Sequence, residues 1–411
     1  MTSVVVVGAG QAAAQLAMSL RQKGFEGQIT LVGDEPHLPY ERPPLSKTYL
    51  AREDDEDALP LRPASFWVGK DVDVRTGVAV TAIDRTARRV ALADATALRY
   101  DHLVLATGAE PRRLNVPGAA LSGIHLLRSR DDARRLRTAL KAARNVVVAG
   151  AGFIGLEVAA VARMTGAQVT VIELSGNAMS RVVSPVTADV VVDEHRRRGV
   201  DVRLATGMVK ASDDEHGHVR QVATADGEHL PCDLLVMGVG VTPSTDLASA
   251  AGLECSDGVV VDEMLLTSDP DISAIGDCAR FPCSFAGGAR VRLEAVQNAV
   301  DQAKCVAARL TGSPAPYTAV PWFWTHQYGF RLQVAGLVGG HNRAVVRGSV
   351  PDGEFSVFCF DGDRLLGVES VNRPADHRLA RGLLAGEHQL VPSVVEDPEA
   401  DLLAYQRKRP A

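Results

Sequence analysis

Two stretches of the chain have the residue types and spacing that a dinucleotide needs. Residues 4–17, VVVVGAGQAAAQLA, return as VVVAGAGFIGLEVA at residues 146–159. Each copy is a run of β-branched residues, a Gly-x-Gly turn and an Ala-rich segment of helical propensity, the opening of a βαβ unit. In the first copy Gly8 permits a tight strand-to-helix turn, Gly10 lets backbone approach a pyrophosphate and Ala13 lets the helix pack closely. N–H groups and the positive dipole end at the helix start favour the anion. The second copy carries the full set, Gly150, Gly152 and Gly155. A further apolar strand follows each, residues 28–32 and 168–172, and then an acid able to accept ribose hydroxyls: Asp34 or Glu35 in the first, Glu173 in the second. A carboxylate at 173 repels a 2′-phosphate and residues 174–176 supply no cation, so NADH is favoured over NADPH, with Arg181 the nearby residue that argues otherwise. Two such units imply two nucleotides.

The elements that must position these residues fit the length. At roughly 150 residues per domain, 411 residues make two or three domains, and 46% hydrophobic content fills their cores, which excludes a disordered or collagen-like chain. The formal charge is −6 with no single-sign tail, which argues against nucleic-acid binding. Six cysteines, all in the second half, show neither C-x-x-C nor zinc spacing, so they read as thiols of a reducing cytosol and no metal site is expected. The start lacks a basic signal-peptide region, and the apolar stretch 146–162 is interrupted by Glu157 and glycine turns. The expectation is a soluble cytoplasmic protein without a membrane segment, a monomer or weak dimer. The Pro-containing stretch 111–117 marks one boundary and Gly240 lies near a return crossing. Beyond Pro321, alternation of aromatic and β-branched residues predicts a small antiparallel sheet with a terminal helix around 377–384. The expected domains are 1–110 with 241–320, then 111–240, then 321–411. The fold class is α/β, two Rossmann-like dinucleotide-binding domains plus a C-terminal α+β domain.

Together the two fingerprints, LVLATGAEPR (103–112), GVGVTP (238–243) and AIGDCA (274–279) resemble the FAD-dependent pyridine-nucleotide oxidoreductases of glutathione-reductase-like architecture. Within them YERPPLSK (40–47), EAVQNA (294–299) and PWFW (321–324) are similar to the NADH-dependent ferredoxin reductases. The resemblance implies FAD on the first fingerprint, near Gly8, Gly10, Ala12, Ala13, Asp34, Arg42, Lys47, Val80, Thr107, Gly108, Arg128, Asp277 and Val296. It implies NADH on the second, near Gly150, Gly152, Ile154, Gly155, Glu157, Glu173 and Gly240, with Lys47 and Glu157 meeting at the flavin N5 edge. Asp277, in a Gly-Asp pair between strand and helix, suits a polyol phosphate chain, or serves only as a helix cap. The implied activity is hydride transfer from NADH to flavin, then single electrons to a 2Fe–2S ferredoxin serving a cytochrome P450 or a ring-hydroxylating dioxygenase.

Other features discriminate less. Trp324 either faces the flavin or the electron exit, or packs in the core. His326 stands where the family often has an acid, and Gly329 is unusual. No cysteine precedes Cys232, so the thiol pair of a disulfide reductase has no place after Asp34; Cys278 and Cys283 read as packing thiols. No iron–sulfur ligand pattern occurs, which puts the cluster on the partner. The Arg-rich residues 128–144 form a solvated basic helix face or a docking patch for an acidic ferredoxin through Arg130, Arg134 and Arg137. Alternative readings are a rubredoxin reductase and an apoptosis-inducing-factor-like flavoprotein with slow NADH oxidation and a binding role.

Overall fold

The computed structural model describes residues 3–51, 59–386 and 390–407. The chain divides into two compact units: Met1–Glu41, Asp57–Glu110 and Thr242–Pro321 form one, and Arg42–Glu56, Pro111–Val241 and Trp322–Ala411 the other.

In the first unit the β-branched run becomes the strand Ser3–Val7, the centre of a five-stranded parallel sheet. Across the sheet the strands are Ile272–Ala274, His102–Leu105, Ser3–Val7, Gln28–Val32 and Val72–Arg75. Val4 to Val7 are all buried, as a parallel strand covered on both faces requires. The helix Gln11–Gln22 follows the glycine turn and packs on the helix Val296–Leu310. Buried alanines on both, Ala13, Ala14 and Ala17 on one and Ala299, Ala303 and Ala307 on the other, let the pair approach closely.

The second unit repeats this plan with a parallel sheet ordered Val200–Arg203, Gln168–Ile172, Asn145–Ala149, Leu234–Met237 and Ile124–His125. The registers match: Val4 lies opposite Ile29 and His102, and Val146 opposite Val169 and Leu234. The repeat in the sequence is therefore a repeat in space, position for position.

The same unit contains the antiparallel sheet expected after Pro321, ordered Trp322–Gln327, Phe330–Gly336, Arg364–Val371, Glu354–Asp361 and Arg343–Ser349. One face joins the core of the dinucleotide fold, where Leu332, Val334, Phe355 and Val357 share a cluster with Leu156, Ala159 and Val191. The other face, through Phe358, Phe360 and Val368, packs on Leu379, Ala380 and Leu383 of the helix Pro374–Ala385. Burial on both sides explains why FSVFCF (355–360) is apolar but for Ser356, whose hydroxyl is hydrogen-bonded to Ser370 and Asp376. Each of its three phenylalanines contributes about 1.5–3 kcal/mol on burial. Among the described residues no helix is long and apolar enough to cross a membrane.

Candidate functional site

The first glycine turn is fixed by backbone. Gly8 has φ +109°, and a β-carbon there would collide with the Ala106 carbonyl oxygen, so only glycine fits. Gly10 differs: a β-carbon would meet nothing within 4 Å, which leaves open space at the start of the helix Gln11–Gln22. Ala12 and Ala13 are buried behind that opening. The two acids left open by the sequence separate. The Glu35 carboxylate accepts a 2.6 Å hydrogen bond from Tyr40 Oη, whereas Asp34 is exposed and accepts from the Glu35 N–H at 3.1 Å. Val80, Thr107, Gly108, Asp277 and Val296 belong to the same unit, each partly exposed. Thr107 Oγ1 donates to the Ser244 carbonyl at 2.7 Å, Asp277 lies in the short turn Gly276–Cys278, and Val296 opens the helix Val296–Leu310. Burial pushes the Cys278 thiol up, and its Sγ lies 3.3 Å from the Ile275 carbonyl oxygen, which is packing geometry. All six cysteines are free.

The second turn follows the same frame with different contents. Gly150 has φ +105° and would collide with the Gly238 carbonyl oxygen if it carried a β-carbon. Gly155 would collide with the carbonyl of Gly150, which is why the third glycine is required here. Gly152 faces open space, its nearest neighbour being Gly238 O at 4.0 Å. Beside it Ile154 leaves 44% of its surface exposed, unusual for an apolar residue in a helix's first turn. The Glu173 carboxylate is held by two backbone donors, Ala151 N–H on Oε2 and Ser175 N–H on Oε1, both at 2.8 Å. That fixes an acid at the loop mouth with lone pairs to spare for hydroxyl donors. The Arg181 guanidinium lies 3.4 Å from where a Gly240 β-carbon would stand, so Arg181 does come near the loop.

Lys47 and Glu157 meet. Lys47 Nζ lies 2.8 Å from Glu157 Oε2, and Glu157, in the helix Phe153–Met164, is only 3% exposed. A buried carboxylate persists only when partnered, and this one also accepts from Ser46 Oγ on Oε2 and from Thr325 Oγ1 on Oε1 at 2.5 Å. Lys47 donates a second bond to the Pro43 carbonyl at 3.2 Å. The turn Pro43–Ser46, rigid through its paired prolines, delivers both Ser46 and Lys47 to the glutamate. Arg42 just before it donates to the carbonyl of Arg128 at 2.7 Å, so two residues assigned to the flavin are neighbours.

Trp324 is partly exposed on the strand Trp322–Gln327 and lies 5.3 Å, ring centre to ring centre, from Trp322. His326 keeps an exposed edge; partial desolvation and the Arg331 and Lys47 cations push its imidazole down, so it is neutral at pH 7. Ser129 and Asp132 form a reciprocal cap at the start of the helix Arg130–Leu140. On that helix Arg134 pairs with Asp131 and Arg135 with Asp132, while Arg137 stacks over the Tyr49 ring at 4.7 Å. The basic face is thus partly neutralised by its own acids. Sequence reasoning missed Ser46, Thr325, Gln327 and His195. Alternation along WFWTHQ held the signal for two of them, because polar Thr325 and Gln327 occupy the buried face opposite Trp324 and His326.

Comparison with known proteins shows the family. A family model described as pyridine nucleotide-disulphide oxidoreductase matches residues 2–303, and one described as reductase C-terminal matches residues 322–405. Rhodocoxin reductase of Rhodococcus erythropolis is 51% identical over 408 residues, 99% of this chain and 95% of that protein. The crystal structure of the ferredoxin reductase for the CYP199A2 system from Rhodopseudomonas palustris is similar at a TM-score of 0.96 and 45% identity, covering 98% of this chain and 99% of that one. The reductase in the covalent putidaredoxin reductase–putidaredoxin complex is similar at a TM-score of 0.95 and 39% identity, with 98% of each chain covered.

Proposed function

The chain belongs to the pyridine nucleotide-disulphide oxidoreductase family, and we propose that it is an NADH-dependent ferredoxin reductase: it takes a hydride from NADH onto FAD and passes single electrons to a 2Fe–2S ferredoxin. The observation that carries this reading is the pair of matched glycine cradles, each open where a pyrophosphate would lie, in one chain with a buried Lys47–Glu157 pair. The acceptor is supported by the ferredoxin, rhodocoxin and putidaredoxin reductases it resembles, the last joined to its own redox partner. A cytochrome P450 or a ring-hydroxylating dioxygenase is the oxygenase served. Free thiols throughout support a reducing, cytoplasmic location.

Bound FAD supplies a carrier that accepts two electrons together and releases them one at a time. The protein's own residues bind and orient. Gly10 and the helix behind it would present N–H groups to the pyrophosphate, and exposed Asp34, beside the Tyr40-bonded Glu35, would accept from the adenosine ribose. Val80, Thr107, Gly108, Asp277 and Val296, and Arg42, Lys47 and Arg128, are the further residues the reading assigns to the flavin. Gly150, Gly152, Gly155, Ile154 and Gly240 take the nicotinamide dinucleotide, with Glu173 on its ribose. Glu173, preset by two N–H donors, favours NADH because a 2′-phosphate would face a fixed carboxylate. The Lys47 ammonium, held by Glu157, would place a positive charge at the flavin edge, and partly exposed Trp324 would face the flavin or the electron exit. Exposed Arg134, with half-buried Arg130 and Arg137 beside it, would steer an acidic ferredoxin, with the salt sensitivity of surface charges.

The test is reconstitution. FAD-loaded protein, NADH and oxidised 2Fe–2S ferredoxin are mixed without oxygen and the ferredoxin absorbance is followed. Catalytic bleaching, faster with NADH than with NADPH, is expected. A flavin that NADH reduces but no 2Fe–2S ferredoxin reoxidises would overturn the proposed acceptor.

A further inference from the structure

A line of buried polar groups ends on Glu157. His195 Nε2 lies 2.7 Å from Gln327 Oε1, Gln327 Nε2 lies 3.2 Å from Thr325 Oγ1, and Thr325 Oγ1 lies 2.5 Å from Glu157 Oε1. His195, Gln327 and Thr325 are all buried, on the helix Pro185–Arg197 and the strand Trp322–Gln327. We propose that Thr325, oriented by Gln327 and His195, is a positioning residue that locks the Glu157 carboxylate against Lys47.

The chemistry of the groups gives the line one direction. Glu157 Oε1 only accepts, so the Thr325 hydroxyl donates to it. Its oxygen is then left to accept, and the Gln327 amide N–H supplies that bond. The amide oxygen faces His195 Nε2, which must therefore carry the proton. Burial pushes the His195 imidazole down, which keeps the ring neutral and leaves Nδ1 unprotonated. Nδ1 has no partner among the described residues, as this tautomer permits. Bonds aligned head to tail polarise one another, so the last one, onto the carboxylate, is strengthened by those behind it. Ser46 and Lys47 hold the other oxygen. With Oε1 anchored, the carboxylate cannot rotate away and Lys47 keeps its place.

This rests on the reading of Lys47–Glu157 as the flavin-edge pair, and its test separates the two. Thr325→Val keeps the shape and removes the donor; Thr325→Ser keeps the donor. In FAD-loaded protein T325V is expected to slow flavin reduction by NADH about tenfold with little change in the NADH concentration for half-maximal rate. It should also shift the visible absorption of the resting flavin, while T325S restores both. In an E157Q background T325V should add nothing, because Thr325 acts through Glu157. Additive losses, or a T325V crystal structure with the Lys47–Glu157 contact and carboxylate orientation unchanged, would overturn the inference. An E157Q protein with normal flavin spectrum and reduction would instead sink the flavin-edge reading, and the T325V structure would still judge the positioning.

Discussion

The two glycine cradles share a backbone frame and differ in what they place around it. Gly8 N–H bonds the Val32 carbonyl and Gly150 N–H that of Ile172; the next position along, Gly33 in one and Glu173 in the other, bonds Arg75 and Arg203 respectively. At that shared position the first cradle has no side chain: a β-carbon on Gly33 would stand 2.6 Å from Ala9 Cβ. The second sends a carboxylate back onto the Ala151 N–H. The acids of the first cradle come one and two residues later, Asp34 at the surface and Glu35 half-buried. One turn into the helix the side chains differ again, for Gln15 bonds the neighbouring Ser19 while Glu157, at the matching position, is buried against Lys47. On the proposed reading the frame recognises a dinucleotide, and the few side chains hung on it separate a cradle that holds its cofactor from one whose nucleotide must come and go.

Breaking the frame itself should have the largest effect. Alanine at Gly8 or Gly150 meets a left-handed backbone and a carbonyl collision, strain of about 1–3 kcal/mol before any clash is counted. G8A is expected to purify with its flavin content lowered about tenfold or more, whereas G150A should stay yellow and lose NADH reduction instead. Equal flavin loss in both would erase the functional difference between the cradles. Next comes Glu157→Gln, which removes the charge that holds Lys47; rapid-mixing kinetics should show flavin reduction slowed about tenfold or more, a barrier raised by at least ~1.4 kcal/mol. Gln15→Glu at the matching helix position should leave that rate as it was.

A smaller change is expected at Glu173. Replacing it by Ala removes a charged acceptor worth about 1.5–3 kcal/mol, so NADH affinity should fall about tenfold or more while NADPH gains relative to it, measured as the ratio of kcat/KM values. Adding an Arg beside it should carry the preference further. The smallest effect concerns the sheets. His102 in the first sheet stands at the register of Leu234 in the second, bonded to Ser273 Oγ at 2.9 Å. Burial, helped by the Arg309 cation, pushes His102 down from 6.5 to about 3. The unfolded chain binds that proton first, so stability present above pH 6.5 is lost as pH falls toward 3. Thermal melts of His102→Leu against the parent should show a shallower acid decline over that window, whatever the offset at neutral pH.

What could be read in advance was local chemistry. Gly8, Gly150 and Gly155 declare themselves because the close backbone approach they allow is signalled within one strand–turn–helix segment, and Glu173 stands at the end of the strand that follows. The antiparallel sheet after Pro321 was legible from its alternation, yet nothing in that alternation said that Leu332 and Phe355 would share a core with Leu156. Between Asp34 and Glu35 the fold adds one difference that sequence could not give: Tyr40 donates to Glu35, while Asp34 stays at the surface. Ser46, Thr325 and His195 stayed silent because each is an ordinary polar residue until the fold brings it to Glu157 or its chain of donors from a distant part of the sequence. Lys47 and Glu157 were paired on resemblance, and the 2.8 Å contact gives that pairing its physical reason.

The most direct test is an anaerobic rapid-mixing experiment on the FAD-loaded chain. NADH is added while flavin absorbance is followed, and an oxidised 2Fe–2S ferredoxin is then added in excess. Fast bleaching by NADH, slower bleaching by NADPH, and recovery of the flavin with two ferredoxins reduced per NADH is the expected result. Bleaching that is slow with both nucleotides, or a reduced flavin that persists in the presence of ferredoxin, would contradict it.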